Sequence, residues 1–383
     1  MTQNIHRFIS SKIKEALKYF PVLLVTGPRQ SGKTHLCKHL FPDYEYVNLE
    51  DLSSRAFAVA DPERFLQQHG NPLIIDEAQN VPDLLSAIQV RVDNNPKLRY
   101  IITGSCNFTL MRTITQSLAG RVAMFTLLPL SLREISSLVE SHTIEDILFQ
   151  GQYPGVIAGE IPPQFFYYNY YRTYVERDVR QLMNVKNILN FDKFVHLLAT
   201  RAGSELNCSS MAKEVGVAST TIKDWLSILD TSYITFNISP YYANIGKRLT
   251  KMPKVYFHDT GLLCYLLGIE QPSQLVKHPL RGAIFENLAI SEMMKQQFNL
   301  TRDPNLYFYR ESAGKEVDAV LSVGGRLHLY EIKAASTFKT EFISNMRHVA
   351  QVLPGVASSI VVYDGTEFGG IATNIRKLAL PEE

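Results

Sequence analysis

Eight consecutive residues, Gly27, Pro28, Arg29, Gln30, Ser31, Gly32, Lys33 and Thr34, combine the side chains and backbone freedom needed to hold a row of phosphates. The two glycines can take backbone angles closed to other residues, so successive amide N–H groups can point inward at the start of a helix. Lys33 supplies a cation for β- and γ-phosphates, and the Thr34 hydroxyl supplies a ligand for Mg²⁺. A second constellation follows at 71–79, NPLIIDEAQ, an apolar run ending in two acids. Its spacing assigns Asp76 to Mg²⁺, through water, and Glu77 to polarising an attacking water. The chemistry implied is phosphoryl transfer to water with ATP and Mg²⁺ as cofactors. The preference for ATP over GTP stays open, because such a loop reads phosphates far more strongly than the base.

Three further residues are candidates for the same chemistry. Ser105 or Asn107, in TGSCN after the apolar run 99–102, would orient water near the γ-phosphate, or else cap the next helix. Arg121, in SLAGRV, would stabilise charge on the transferring group, in cis or from a neighbouring subunit, unless it is a surface Arg paired to a carboxylate. A separate set lies near the C-terminus: Glu286 in AIFENLAISEMM, Asp318 in KEVDAVLSV, and Glu331 and Lys333 in LHLYEIKA. Asp318 and Glu331 would share a divalent metal, Glu286 would complete its shell, and Lys333 would position or deprotonate water. The alternative is structural ion pairing, for example of Glu331 with Lys333 or Arg310.

These groups need a scaffold to bring them together. PVLLVT before the glycine loop reads as a buried parallel strand and HLCKHLF after it as a helix, so strand, loop and helix follow in the order the loop requires. The aromatic run QFFYYNYYRTYVERDVRQL reads as a long helix whose tyrosines pack in a core. SSMAKEVGVASTTIKDWLSILD reads as two helices turning at Gly216, with a strand-like run beyond, the outline of a winged helix. Its second helix offers only Lys223, beside Asp224, which is weak attraction for phosphates and favours packing over DNA reading. His258–Asp259 reads as a helix N-cap rather than a catalytic pair.

Composition agrees with a soluble globular chain of several domains. It has 383 residues, 45% hydrophobic and 20% charged, with 39 Lys and Arg against 37 Asp and Glu. A net charge of +2 excludes nucleic-acid binding by overall charge and leaves room only for a local contact. Four widely spaced cysteines form no metal or disulfide framework, and neither a signal segment nor a membrane span is read, so a cytoplasmic location is expected.

Taken in order, GPRQSGKT, LIIDEAQ, TGS, SLAGR with LLPLSLRE, YVERDV, Asp259–Leu262, GAIFENL, YR, KEVD and EIK resemble a large prokaryotic family of AAA+ ATPases with a C-terminal domain of unknown function. GQYPG at 151–155 departs from it in lacking a second glycine before the aromatic residue. The resemblance implies ATP hydrolysis and a homo-oligomer. The expected architecture is α/β: a P-loop AAA+-like parallel sheet at 1–128, a helical lid at 129–200, a winged helix at 201–245, and a restriction-endonuclease-like α/β domain at 246–383. Three outputs fit: a nucleotide-driven switch binding a DNA or protein partner, an ATP-regulated metal-dependent nuclease, or an ATP-binding signalling scaffold without turnover.

Overall fold

The computed structural model describes residues 5–104, 117–174, 188–242, 252–311 and 314–382. The N-terminal part contains α1 (Ser10–Ala16), β1 (Val22–Thr26), α2 (Lys33–Leu40), β2 (Glu45–Asn48), α3 (Leu52–Ala60), α4 (Pro62–Gln68), β3 (Leu73–Asp76), α5 (Leu84–Asn94), β4 (Tyr100–Thr103) and β5 (Val122–Thr126). Its five strands are all parallel, in the order β2-β3-β4-β1-β5. β1, β3 and β4 are buried along their whole length, as parallel strands covered on both faces must be. Val22 and Leu24 join a core with Ile75, Leu85 and Ile102, while Leu23 and Val25 join the opposite core with Leu36, Ile74 and Ile101.

Parallel order brings the carboxyl ends of the strands to one edge, where Gly27, Asp76 and Thr103 meet. Arg121 stands at the other edge. Its carbonyl accepts from the Val22 amide at the start of β1, and its guanidinium binds Asp93 of α5, with Nη2 2.9 Å from Oδ2. The reading of Arg121 as a cation for this chain's own phosphates is therefore corrected: the residue stands just before β5, at the amino ends of the parallel strands, opposite the edge that carries the loop.

The chain continues through α6 (Ile144–Gln150), α7 (Pro154–Ile157), α8 (Pro163–Tyr170), α9 (Ile188–Ala199), α10 (Cys208–Val215) and α11 (Ser219–Thr231). Asn207 caps α10 by accepting from the Ser209 and Ser210 amides, and Gly216 ends it in the left-handed region. Ile222, Trp225, Leu226 and Leu229 face inward along α11, while Lys223 and Asp224 face solvent. Then come β6 (Thr235–Pro240), β7 (Lys254–Phe257), α12 (Thr260–Leu266), α13 (Pro272–Leu275), α14 (Arg281–Asn299), β8 (Leu306–Arg310), β9 (Glu316–Val323), β10 (Arg326–Lys333), α15 (Ser344–Val352), β11 (Val356–Tyr363) and β12 (Ala372–Asn374).

The second sheet is mixed, in the order β12-β11-β10-β9-β8-β6-β7. β8, β9 and β10 form an antiparallel meander, and α15 then crosses so that β11 returns parallel to β10. The strand after the helix–turn–helix is not kept as a separate wing. β6 pairs with β7 and, through Ser239 and Pro240, with β8, so one sheet runs across the boundary expected at residue 245.

α14 holds these parts together. From Ile284 to Gln297 most of its side chains are buried, including polar ones. Glu292 and Lys295, 1% and 2% exposed, bond each other at 2.9 Å. Glu292 also accepts from the Leu132 amide at 2.8 Å and the Gln152 side-chain amide at 2.6 Å, and Lys295 donates to the Leu130 carbonyl at 3.1 Å. Three distant segments thereby meet on one buried ion pair. Gln152 fills the junction with its side chain. Replacing Lys295 with Met strands the Glu292 carboxylate and is expected to cost about 3–5 kcal/mol, read from urea unfolding against wild type.

Candidate functional site

The glycine loop 27–32 is bent by positive φ at Gly27 (141°), Gln30 (62°) and Gly32 (94°). A Cβ on Gly27 would stand 2.2 Å from the Leu127 carbonyl oxygen, so side-chain-bearing residues are excluded there. Gly32 is the N-cap of α2 and offers no side-chain acceptor to its first amides, which leaves them for an anion. Lys33 is 6% exposed, and its ammonium donates to the Gly27 and Pro28 carbonyls at 3.1 and 2.8 Å. Burial pushes its pKa down to about 8, while the nearby Glu77 and Asp76 carboxylates oppose the shift.

Asp76 closes β3 beneath the loop. Its Oδ2 accepts from Thr34 Oγ1 at 2.7 Å and Tyr46 Oη at 2.8 Å, and its Oδ1 from the Thr103 hydroxyl and from the Glu77 amide at 3.2 Å. Glu77 sits in the left-handed region at φ 56° and takes the Gln79 side-chain amide. Thr34, Asp76 and Glu77 are thus gathered at one place. Ser105 and Asn107 lie outside the described residues.

A cleft of about 460 Å³ opens over the loop, lined by Arg29, Lys33, Thr34, Glu77, Tyr170 and Tyr174 among others. Arg29 lies 5.7 Å from the Tyr174 ring centre and 3.8 Å from Glu50. The aromatic segment following α8 therefore covers the cleft as well as entering the core. Beside it is a second cavity of about 500 Å³, lined on one side by Ile5, Arg7 and Ser10 and on the other by Leu36, Leu130 and Pro154. Gly32 and His35 line both spaces. Arg7 ties the N-terminal segment to the loop, donating to the Ser31 carbonyl at 3.0 Å and the Leu128 carbonyl at 2.6 Å. Neither Arg7 nor this cavity carries a local motif. Their only sequence signal is a lone Arg ahead of α1.

The turn between α11 and β6 rests against the same region. Tyr174 Oη donates to the Ser232 carbonyl at 2.9 Å, and the Tyr233 and Thr26 hydroxyls stand 3.1 Å apart, one residue before Gly27.

The C-terminal acids also cluster. Lys333 lies 2.7 Å from Glu331 and 3.8 Å from Asp318, and Asp318 accepts from the Ile332 amide at 2.7 Å. Glu286 is held differently, by Lys254 at 3.1 Å and Tyr256 Oη at 2.7 Å, with Lys254 also 2.6 Å from Glu316. Burial and the Asp318 charge push the Glu286 and Glu331 carboxyls well above the ordinary range. Among the described residues no three acid, His or Cys side chains converge as ligands for one metal. Lys254 of β7, unnoticed in the sequence, pairs with Glu286. Asp259, in turn, caps α12 by accepting from the Leu262 amide at 2.9 Å, as expected.

Comparison with known proteins divides the chain into three matched segments. Residues 19–136 match an AAA domain, 141–273 a domain of unknown function (DUF8612), and 281–381 another (DUF4143). Uncharacterized protein Rv2008c of Mycobacterium tuberculosis is 31% identical over 372 residues, covering 94% of this chain and 80% of that protein. This chain belongs to the Rv2008c family. Uncharacterized protein MJ1544 of Methanocaldococcus jannaschii is more distant, at 23% over 335 residues, 78% of this chain and 72% of its own. Among solved structures, the Walker-type ATPase PABY2304 of Pyrococcus abyssi covers 67% of this chain and 94% of its own, at 14% identity and a TM-score of 0.47. That superposition is too loose to carry an argument.

In this Rv2008c-family chain the AAA match spans β1 to β5, so the parallel sheet and its glycine loop are a P-loop ATPase domain of the AAA type. Among the described residues no helix is long and apolar enough to cross a membrane. The depressed Lys33 pKa carries a pH signature. Bound phosphate favours the ammonium, whereas free Lys33 loses its proton above about pH 8. Nucleotide binding should therefore take up a proton at pH 8.5 but scarcely any at pH 6.5, and affinity should fall as pH rises past 8. Calorimetry in two buffers of different ionisation enthalpy measures the uptake.

Proposed function

We propose that this protein binds ATP with Mg²⁺ and hydrolyses it, and that nucleotide state governs binding of a partner by the C-terminal part. The observation that carries the reading is the gathering of Lys33, Thr34, Asp76 and Glu77 around one loop at one sheet edge. Thr34 and Asp76 offer paired hard oxygens suited to Mg²⁺, which when bound would neutralise charge on the phosphates. Lys33 exchanges its bonds to the loop carbonyls for bonds to phosphate oxygens, and Glu77, at the cleft wall, orients and polarises water. Because Gly32 and His35 line both cavities, a nucleotide whose phosphates fill the cleft sends its base into the neighbouring space between α1 and α2.

Coupling is supported by the contacts of Tyr174 and Tyr233, which join the loop region to the start of β6 and so to the second sheet. The helices around the cleft act as a lid, and α10, α11 and the hairpin behind them as a winged helix used for packing. The exposed Lys223–Asp224 pair favours a protein partner over DNA. Assembly is proposed as a homo-oligomer on the AAA+ resemblance, and Arg121 would then act in trans if at all.

A second reading, an ATP-regulated metal-dependent nuclease, is favoured by one observation: Glu331 Oε2 is buried without a hydrogen-bond partner beside Asp318 and Lys333. The helix, three-strand meander and crossover of α14 to β11 support a restriction-endonuclease-like core.

Glu77→Gln is expected to lower phosphate release at least about 100-fold while keeping nucleotide binding, and Lys33→Ala to lose both. Undiminished release from Glu77→Gln would overturn the assignment of Glu77, and absence of release from wild type would leave a scaffold without turnover. The nuclease reading requires Mn²⁺- or Mg²⁺-dependent strand cleavage that is lost in Asp318→Ala and kept in Lys33→Ala. Failure to cut DNA or RNA with either metal sinks it.

A further inference from the structure

Among the described residues, three of the four donors to Asp76 are Thr34 in α2, Thr103 in β4, and the backbone of the next residue. The fourth comes from the sheet's edge strand. Tyr46 lies in β2 opposite Ile74, while Asn48 lies opposite Asp76, so the phenol must reach forward along the neighbouring strand to place its hydroxyl 2.8 Å from Oδ2. The ring is held in that pose from above, where the Lys38 ammonium of α2 stands 3.4 Å from its centre. The helix that carries Thr34 to one side of Oδ2 thus also steadies the tyrosine on the other.

Packing alone does not account for the hydroxyl. A phenylalanine would fill the same space and keep the cation over its face. What the oxygen adds is a second bond to the carboxylate oxygen that already holds Thr34.

We propose that Tyr46 is a positioning residue for the metal–nucleotide complex, locking the Asp76 carboxylate in the rotamer that keeps Oδ2 on the Thr34 hydroxyl. The inference rests on the reading of Thr34 and Asp76 as the Mg²⁺-holding pair. Without the phenol hydroxyl, Oδ2 keeps Thr34 as its one donor and the carboxylate is less firmly held about its terminal torsion. The arrangement then has to be rebuilt each time a metal–nucleotide complex enters. A bond to a charged acceptor of this kind corresponds to roughly a ten-fold change in an equilibrium constant.

The test is binding of a fluorescent ATP analogue to wild type and Tyr46→Phe, first in EDTA and then across a Mg²⁺ titration, with thermal melting of both proteins recorded. Tyr46→Phe should bind the analogue in EDTA as wild type does and melt close to it, yet need about ten times more Mg²⁺ for half of the metal-dependent gain in affinity. Tyr44→Phe, in the same part of the chain but away from Asp76, should leave the Mg²⁺ titration unchanged. A Mg²⁺ titration of Tyr46→Phe that overlays wild type overturns the proposal, as does an equal loss of affinity with and without metal, which would mark a merely structural residue. If wild type itself gains no affinity from Mg²⁺, the metal-holding reading of Thr34 and Asp76 fails, and the role of Tyr46 falls with it.

Discussion

The buried ion pair of Glu292 and Lys295 is the interaction on which the arrangement of this molecule depends. Two charges this deep are tolerated only because each finds further partners, and those partners are backbone groups of Leu130 and Leu132 and the side chain of Gln152. Leu130 and Leu132 leave the ATPase sheet, Gln152 lies between helices α6 and α7, and the pair itself belongs to the helix packed on the second sheet. Satisfying one pair of charges therefore fixes where two sheets stand relative to each other, a constraint that apolar packing alone would specify less sharply.

Around the loop the same economy recurs. Asp76 collects donors from α2, β2, β4 and its own neighbour, so three elements and the following residue converge on one carboxylate. Lys33 donates to the carbonyls of its own loop, and its burial weakens its hold on the proton. Anionic ligand relieves that cost, which places part of the free energy of binding in the loop itself. Contacts from Thr26 to Tyr233 and from Tyr174 to Ser232 give the loop a physical connection to β6, and β6 belongs to the second sheet.

The C-terminal cluster shows how similar residues can be arranged for different ends. Lys254 binds Glu286 and Glu316, while Lys333 sits near Glu331 and Asp318. Burial lowers the affinity of the Lys254 ammonium for its proton, but the surrounding carboxylates outweigh it and the pKa is raised. The helix acid thereby has its own cation, Lys254, beside the two strand acids and Lys333, a pairing that no reading of order along the chain can detect.

Local chemistry was legible in the sequence wherever it depends on neighbours in the chain. Gly27 and Gly32 announce a loop, Asn71 to Gln79 a strand ending in two acids, and Gly216 a helix–turn–helix, because each requirement is met by backbone angles or periodicity over a few residues. Contacts that depend on strand order were not legible. Arg121 looked like a partner for phosphate, but a parallel sheet puts the start of β5 at the edge opposite the loop. Tyr46, Arg7 and Lys254 carry no motif and become meaningful only when β2 lies beside β3, α1 beside the loop, and β7 at the rim of the second sheet. Sequence by itself determined which groups are candidates for holding phosphate and metal, since that chemistry is intrinsic to residue type and short spacing. Tertiary structure alone decided which charges face one another, since buried electrostatics depend on distances between segments far apart in the chain.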